Sequence, residues 1–303
     1  MKPASFTYHR PRELDEALSL LDSHLEHAKI IAGGQSLVPM MNMRLARPAH
    51  LIDINDIGSL SYIRQKENRL HIGALARHTN LEHSVVLKEF CPIIANAAHH
   101  IGYPAIRERG TIGGSLANAD PAGELPIMAT LFNASITITS QAGTRIVPAC
   151  EFFRTIYTTD LQPNELLTEV DVPLMNPADG WSYQEFSRRS RDFALAAVGT
   201  ILSLDENNKV SNVQIALGGT KSIPVNVSPS LEKFLGATPD AAWMREITRS
   251  ATAELELDSD VHATAEDRLE WQQVLIKKSL QESLQRANQG KREDGKVTSA
   301  TTD

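Results

Sequence analysis

The chain has 303 residues, 42% apolar and 22% charged, with a formal net charge of −7, a composition suited to a well-cored protein of two or three domains. The acidic balance and the 5% aromatic content argue against nucleic acid as a partner, yet leave room for one phosphorylated cofactor held by local donors. Cys91 and Cys150 are the only cysteines, too few for a disulfide framework or for an iron–sulfur cluster of the chain's own.

Met1–Pro11 has no apolar run of the secretory type, and no stretch of about 18 apolar residues offers a membrane span, so a cytoplasmic location is expected. Glu13–Leu25 sets Leu14, Ala17, Leu18, Leu21 and Leu25 on one face and predicts an amphipathic helix. Lys29–Ala32 reads as a short buried strand running into Gly33-Gly34, and Leu51–Ile54 as another. Tyr62–Gln65 and Arg69–Gly73 predict a hairpin around Lys66-Glu67-Asn68. Leu87–Ile101 predicts one helix with Pro92 in an early turn. Ala134, Ile136 and Ile138 alternate with polar residues as a half-buried strand does, Arg145–Pro148 pairs nearby, and Leu167–Val172 adds a strand stopped by Pro173. Leu174–Gly180 has the composition of a linker. Beyond it come strands at Ser182–Ser187, Ala196–Leu204 and Val210–Leu217, the last two joined by a turn at Asp205–Asn208. Helices are expected at Ser230–Leu235, Asp240–Glu254 and Ala265–Arg286. Residues 288–303 are polar enough to predict a disordered tail.

Two segments carry the chemistry. Lys29–Pro39 (KIIAGGQSLVP) can turn successive backbone N–H groups towards one point, a nest for phosphate oxygens that needs no lysine, with Gln35 and Ser36 as added donors. Gly110–Pro126 (GTIGGSLANADPAGELP) is a long run of small residues that lets backbone approach a ligand closely. Gly33 and Gly114 are expected at positive φ. A Gly-Gly turn or a glycine-rich surface loop is commonly nothing more, so neither segment decides the matter alone. Neither fits the Rossmann or P-loop pattern. The histidines at 78, 83, 99 and 100 lack cysteine or acidic partners at ligand spacing and read as structural or surface residues. Arg107, Arg109, Arg188, Arg189 and Arg191 read as subunit contacts or solvated charges.

As a pair, AGGQSLVP and TIGGSLANADPAGELP resemble the FAD-binding medium subunits of the xanthine dehydrogenase and carbon monoxide dehydrogenase family. The resemblance extends to Phe6-Thr7-Tyr8…Pro11 at the start and to Arg188…Asp192-Phe193-Ala194 after the linker, and covers the chain to about Arg286. It implies an α+β fold: a vanillyl-alcohol-oxidase (PCMH)-type FAD-binding domain over residues 1–175, with subdomains of about 1–56 and 57–175, and a smaller α+β C-terminal domain over 181–287.

The same resemblance implies roles. Lys29, Ile31, Ala32, Gly33, Gly34, Gln35, Ser36 and Leu37 would lie along the FAD pyrophosphate. Thr111, Gly113, Gly114 and Ser115 would follow the ribityl, pyrophosphate and flavin region. Asn118, Asp120 and Glu124 match polar positions near the adenosine half or the pyrophosphate surroundings, with helix capping as the competing role for Asp120. Ile101 and Leu167 match apolar positions near adenine or the flavin ring, and Phe193 an aromatic residue beside the isoalloxazine. Gln35 stands where some relatives of the wider fold attach flavin to histidine, which implies dissociable FAD. Phe186-Ser187-Arg188 lacks the lysine of the NAD-reducing animal enzymes. The implied partners are a large molybdopterin-binding subunit and a small subunit with two [2Fe–2S] clusters, assembled as a dimer of heterotrimers. A stand-alone FAD oxidoreductase of the same fold is the competing reading.

Overall fold

Parallel strands need crossovers, and the N-terminal region supplies two. In the computed structural model, β1 (Thr7–His9), α1 (Leu14–His24), β2 (Ala28–Ile31), α2 (Leu37–Asn42) and β3 (His50–Asp53) follow in that order. Every residue is described except Met1, Thr220, Lys221 and 300–303, with side chains described up to Gln289. β3 lies between β1 and β2 and parallel to both, Leu51 opposing Tyr8 on one side and Lys29 on the other. Ala17, Leu18 and Leu21 of α1 are buried with Ala28, Ile52 and Ile54, as the apolar spacing predicts, whereas Leu25 falls after the end of the helix at φ 46° and is exposed.

The next strands are β4 (Ile63–Lys66) and β5 (Arg69–Gly73), paired as the expected hairpin. Six short helices follow: α3 (His78–His83), α4 (Val85–Phe90), α5 (Pro92–His100), α6 (Pro104–Arg107), α7 (Ile112–Asn118) and α8 (Glu124–Leu131). The single helix expected over Leu87–Ile101 is therefore two. Cys91 sits at φ −150° and ψ 61°, because a residue before proline is pushed out of the α region, and Pro92 then opens α5 where its missing N–H costs nothing. Most of the second glycine segment is helical too. β6 (Ser135–Ser140), β7 (Gly143–Pro148), α9 (Ala149–Phe152), β8 (Phe153–Thr155), β9 (Thr158–Thr159) and β10 (Leu166–Pro173) complete this part. The last strand in sequence is the central one, giving the antiparallel order β4-β5-β10-β6-β7.

After the linker, β11 (Gly180–Phe186), β12 (Ala196–Leu204), β13 (Val210–Gly218) and β14 (Val225–Asn226) form a second antiparallel sheet in that order. The stretch expected to be helical at Ser230–Leu235 is a 3₁₀ turn over Ser228–Phe234. α10 (Ala241–Thr252), capped by Asp240, and α11 (Ala265–Ser299) close the chain. β12 is buried from Ala196 to Leu202 because both sheet faces are covered. On one face α8 comes close enough that a Cβ on Gly218 would lie 2.1 Å from Ile127, and one on Gly199 would lie 2.7 Å from Met128. On the other, Ile247, Ile276 and Leu280 of α10 and α11 pack with Val198, Leu202 and Ile215. The helical backbone of α11 continues to Ser299, past the expected start of a disordered tail at Asn288. Once Leu280 and Ala287 dock, each further turn propagates without a new nucleus, and no proline interrupts it. The last part of the expected tail, 300–303, lies outside the described residues.

Where α11 crosses β11, Gly180 meets the helix backbone: an added Cβ would lie 1.7 Å from Ser283 O. Gly180→Ala should therefore destabilise the chain by about 1–3 kcal/mol, lowering the unfolding temperature by several degrees. Gly58→Ala, with nothing within 4 Å of the new atom, serves as the control in the same thermal melt.

Candidate functional site

Leaving β2, the chain turns through Ala32–Ser36 into α2. Gly34 makes the turn at φ 73°, in the left-handed region that glycine enters at little cost. The Val38 N–H then donates to Gly34 O at 3.0 Å. Gln35 and Ser36 stay exposed, and Gln35 Nε2 donates to Gly33 O at 3.2 Å. Gly33 is not at positive φ; its missing side chain serves a different need. A Cβ there would lie 2.3 Å from Arg109 O and 2.7 Å from Gly110 Cα, so the backbones of the two glycine segments touch.

The second segment is pinned to the end of β5. His78 N–H donates to Gly110 O at 3.0 Å, Ile112 N–H to Ala76 O at 3.0 Å, and Gly113 N–H to Ala74 O at 2.9 Å. Thr111 Oγ1 caps α7 by accepting the Gly114 N–H at 3.1 Å. Gly113 and Gly114 thus form the first turn of a helix, and Gly114 is not at the positive φ expected of it. Gly113 permits close packing, since its Cβ would stand 2.6 Å from that of Ala74. Gly114 leaves an open face, with only Thr111 Oγ1 near, at 2.9 Å.

Two residues that the sequence reading missed hold the loops together. Asn55 Nδ2 donates to Ala32 O at 2.7 Å, and Asn55 Oδ1 accepts from Arg77 at 2.6 Å. The same guanidinium donates to Arg109 O. Burial and the neighbouring Arg109 lower the Arg77 pKa, but a guanidinium keeps its charge in proteins. Arg77 and Arg109 therefore set positive charge beside the exposed donors. No motif signals either residue, because Asn55 and Arg77 meet their partners only through the fold.

His78 supports the second segment from beneath. It is 4% exposed, and burial pushes its pKa down to about 4, so it is neutral. Its Nε2 lies 3.1 Å from Ser115 Oγ, while Nδ1 has no hydrogen-bond partner. A Cβ on Gly110 would run into its ring at 2.5 Å. Thr111 and Gly113 are buried behind the loop, with Ser115 and Asn118 half-exposed. Lys29 is exposed on β2, and Ile31 and Leu37 are half-buried at either end of the first loop.

Beyond α7 the chain reverses at Ala119 (φ 50°). Asp120 accepts from Ala122 N–H at 3.0 Å and from Tyr157 OH at 3.3 Å. It secures its own turn; the cap of α8 is Gly123, which has no side chain to offer. Burial pushes the Glu124 carboxyl up to about 8, and Glu185 and Asp120 add to the effect. The protonated form of Glu124 is therefore favoured over that of an exposed carboxyl. Glu185 accepts from Tyr183 OH at 3.2 Å and lies 3.3 Å from His100 Nδ1.

Ile101 and Leu167, 9% and 3% exposed, belong to the core beneath the second segment. Phe193 is 76% exposed, on a loop closed by Leu195 N–H donating to Phe186 O at 2.7 Å. Arg191 ties that loop to the end of α5, donating to His99 O and Gly102 O at 3.0 Å each. A cleft of about 370 Å³ opens there, lined by His99, His100, Glu185, Phe186 and Arg191 among others. Arg107, expected to be a contact or solvated charge, is instead buried: it pairs with Glu82 at 2.7 Å and donates to Ile101 O and Gly102 O. The fold thus joins residues 32–36 to 109–115 directly, and leaves Ile101 in the core and Phe193 exposed on its loop.

The glycine cradle can be tested against the FAD of the resemblance. Two glycines that admit no Cβ, exposed amide and hydroxyl groups, and two flanking guanidiniums suit a diphosphate carried by a flat ligand. Comparison with known proteins agrees. Residues 4–175 match the FAD binding domain in molybdopterin dehydrogenase. Residues 181–283 match the CO dehydrogenase flavoprotein C-terminal domain. The chain is 37% identical to the 6-hydroxypseudooxynicotine dehydrogenase complex subunit alpha of Paenarthrobacter nicotinovorans, over 95% of this chain and 97% of that one. It is 33% identical to the carbon monoxide dehydrogenase medium chain of Afipia carboxidovorans, over 95% of this chain and 99% of that one. A solved carbon monoxide dehydrogenase from Hydrogenophaga pseudoflava superposes with a TM-score of 0.91 at 32% identity, over 94% of this chain and 99% of that one. Among the described residues no helix is long and apolar enough to cross a membrane. With both halves of the chain matched and the two glycine segments in backbone contact, the chain belongs to the family of FAD-binding medium subunits of the molybdopterin dehydrogenases.

Proposed function

We propose that this chain serves a heterotrimeric-type molybdenum hydroxylase as its flavin subunit, taking electrons from the [2Fe–2S] clusters of a small partner and passing them to an external acceptor. The observation that carries the reading is the contact of Gly33 with the Arg109–Gly110 backbone, which makes one cradle of two segments. In this reading FAD is held by Lys29, Ile31, Ala32, Gly33, Gly34, Gln35, Ser36 and Leu37 on one side. Thr111, Gly113, Gly114, Ser115, Asn118, Asp120 and Glu124 hold it on the other. Arg77 and Arg109 neutralise its diphosphate, and the raised pKa of Glu124 reduces the repulsion that a carboxylate would exert on that anion. Ile101 and Leu167 back the ring from the core, and Phe193 regulates water access to it. Bound FAD supplies the one- and two-electron chemistry that no side chain here offers. The chain's own work is binding, orientation and the exclusion of water, and none of its residues acts as acid or base on the organic substrate.

Residues 1–175 form the FAD-binding domain in this reading, and 181–287 the C-terminal domain that adds contact area. A large molybdopterin-binding subunit completes the trimer, two trimers pair, and the assembly works in the cytoplasm. The names of the relatives support a shared complex, since one is called a complex subunit and another a medium chain. Beside the first loop, Val38, Met40, Met43 and Leu45 are exposed, Leu45 by 71%. Exposed apolar side chains on α2 and the turn after it offer a partner a docking surface.

Because Gln35 occupies the position of covalent attachment, FAD should be dissociable. Acid precipitation of the purified chain should release yellow cofactor to the supernatant at about one equivalent per chain. Colour retained in the pellet would rule out this mode of binding, and a colourless chain would rule out the reading as a whole.

A further inference from the structure

We infer that His9, His24 and His50 form a binding site for a divalent transition-metal ion, of which zinc is the representative, on the N-terminal sheet. His9 ends β1, His24 closes α1 and His50 opens β3. Residues far apart in sequence therefore converge only because α1 crosses over the sheet. One nitrogen of each ring lies within 4.8 Å of the other two. His9 Nε2 and His50 Nδ1 are 2.9 Å apart. The rings of His24 and His50 stack at 3.6 Å with 8° between their planes. The site is separate from the glycine cradle: His50 pairs with Ala28 at the start of β2, whereas the first loop leaves from that strand's other end.

The donor set decides the kind of ligand. All three residues are half-buried. The ion pairs of histidine among the described residues involve His71, His83, His99 and His100, and not these three. Three imidazoles without a carboxylate form a poor site for magnesium or calcium, which want oxygen, and a good one for zinc, nickel or copper. Three protein nitrogens leave the fourth tetrahedral position to water, and the half-exposed setting admits it.

Ligation asks for small movements only. Zinc–nitrogen bonds of about 2.0–2.1 Å draw the donor atoms closer than their widest present spacing. The His24 ring must turn out of its stack, since parallel rings aim their lone pairs side by side. The hydrogen shared by His9 and His50 leaves the space between them, and each neutral ring keeps its proton on the nitrogen facing away from the ion. The bound ion then cross-links β1, α1 and β3, and β3 is the strand paired with β2, from which the first loop leaves.

The test is zinc titration by calorimetry of the full-length, FAD-loaded chain, with any affinity-tag histidines removed. One zinc per chain is expected, with binding weakened at least tenfold in His24→Gln and in His50→Gln. Zinc should also raise the unfolding temperature of the wild type and leave that of the variants unmoved. His24→Gln lies at a half-exposed helix end, so it carries the test should His50→Gln fail to fold; FAD content reports the fold in each. His83→Gln should bind as the wild type does. Equal affinity in wild type and His24→Gln would overturn the proposal. So would no uptake by the wild type, or binding that disappears only in Cys150→Ser.

Discussion

Gly33→Val should yield a folded chain that has lost its FAD. The new Cβ would stand 2.3 Å from Arg109 O and 2.7 Å from Gly110 Cα, and both neighbours are backbone, so no rotamer change relieves the overlap. The second segment cannot retreat cheaply either, because Gly110, Ile112 and Gly113 are hydrogen-bonded to the chain between Ala74 and His78. The first loop must move outward instead, which breaks the Asn55–Ala32 bond and separates the two sets of donors. A cradle opened by about an ångström loses hydrogen-bond geometry with the diphosphate on one side. FAD affinity should fall at least tenfold, equivalent to about 1.4 kcal/mol or more. Circular dichroism of the FAD-free chain should still report a folded protein, with a melting transition lowered by several degrees from the displaced loop and the lost Asn55–Ala32 bond. Gly114→Val tests a different factor. Its Cβ meets only Thr111 Oγ1, so the loops stay together and the side chain fills ligand space. Full FAD occupancy in Gly33→Val would show that the contact between the loops is incidental to the cofactor.

Much of this site could be read from residues, and the remainder shows what residues alone conceal. The turn at Gly34 and the strand before it follow from local rules: a β-branched run, then glycine. The strands of the second sheet were equally plain, because Ala196–Leu204 and Val210–Gly218 carry long apolar runs around a DENN turn. The conformation of the second segment was not. Thr111 is a good N-cap, but Gly113 and Gly114 are such weak helix formers that local propensity argues against α7. The helix exists because Ala74 and Ala76 anchor its start, a tertiary effect overriding propensity. Arg107 was misjudged for a related reason. Its charge suggests the surface, yet Glu82 and two carbonyls at the end of α5 satisfy it in the interior, as buried charge requires. Asn55 and Arg77 lie beyond any motif, since their meaning arises only when β3, the first loop and the start of α3 come together. The three histidines of the N-terminal sheet were silent for the same reason.

The purified chain should not oxidise any organic substrate by itself, although its flavin should be reducible by dithionite. The chain has the FAD cradle, but Cys91 is buried and Cys150 stands alone. It therefore offers no four-ligand cluster through which electrons could leave a molybdenum centre. Electrons tunnel usefully only over short distances, so a small iron–sulfur partner must dock close to the flavin. The exposed Val38, Met40, Met43 and Leu45 lie on α2 and the turn after it, next to the first loop, and Phe193 is exposed on the loop between β11 and β12. Reconstitution with both partners should restore substrate-dependent reduction of an artificial dye, and leaving out the iron–sulfur subunit should abolish it. Met43→Asp combined with Leu45→Asp should cut dye reduction at least tenfold while FAD content stays at one per chain, because the changed side chains point to solvent and touch no core. Unchanged turnover in that variant would move the docking face away from α2, towards Phe193. Bleaching of the flavin by an organic substrate at a catalytic rate, with the chain alone in solution, would make the protein a self-contained oxidoreductase and set aside the proposed division of labour.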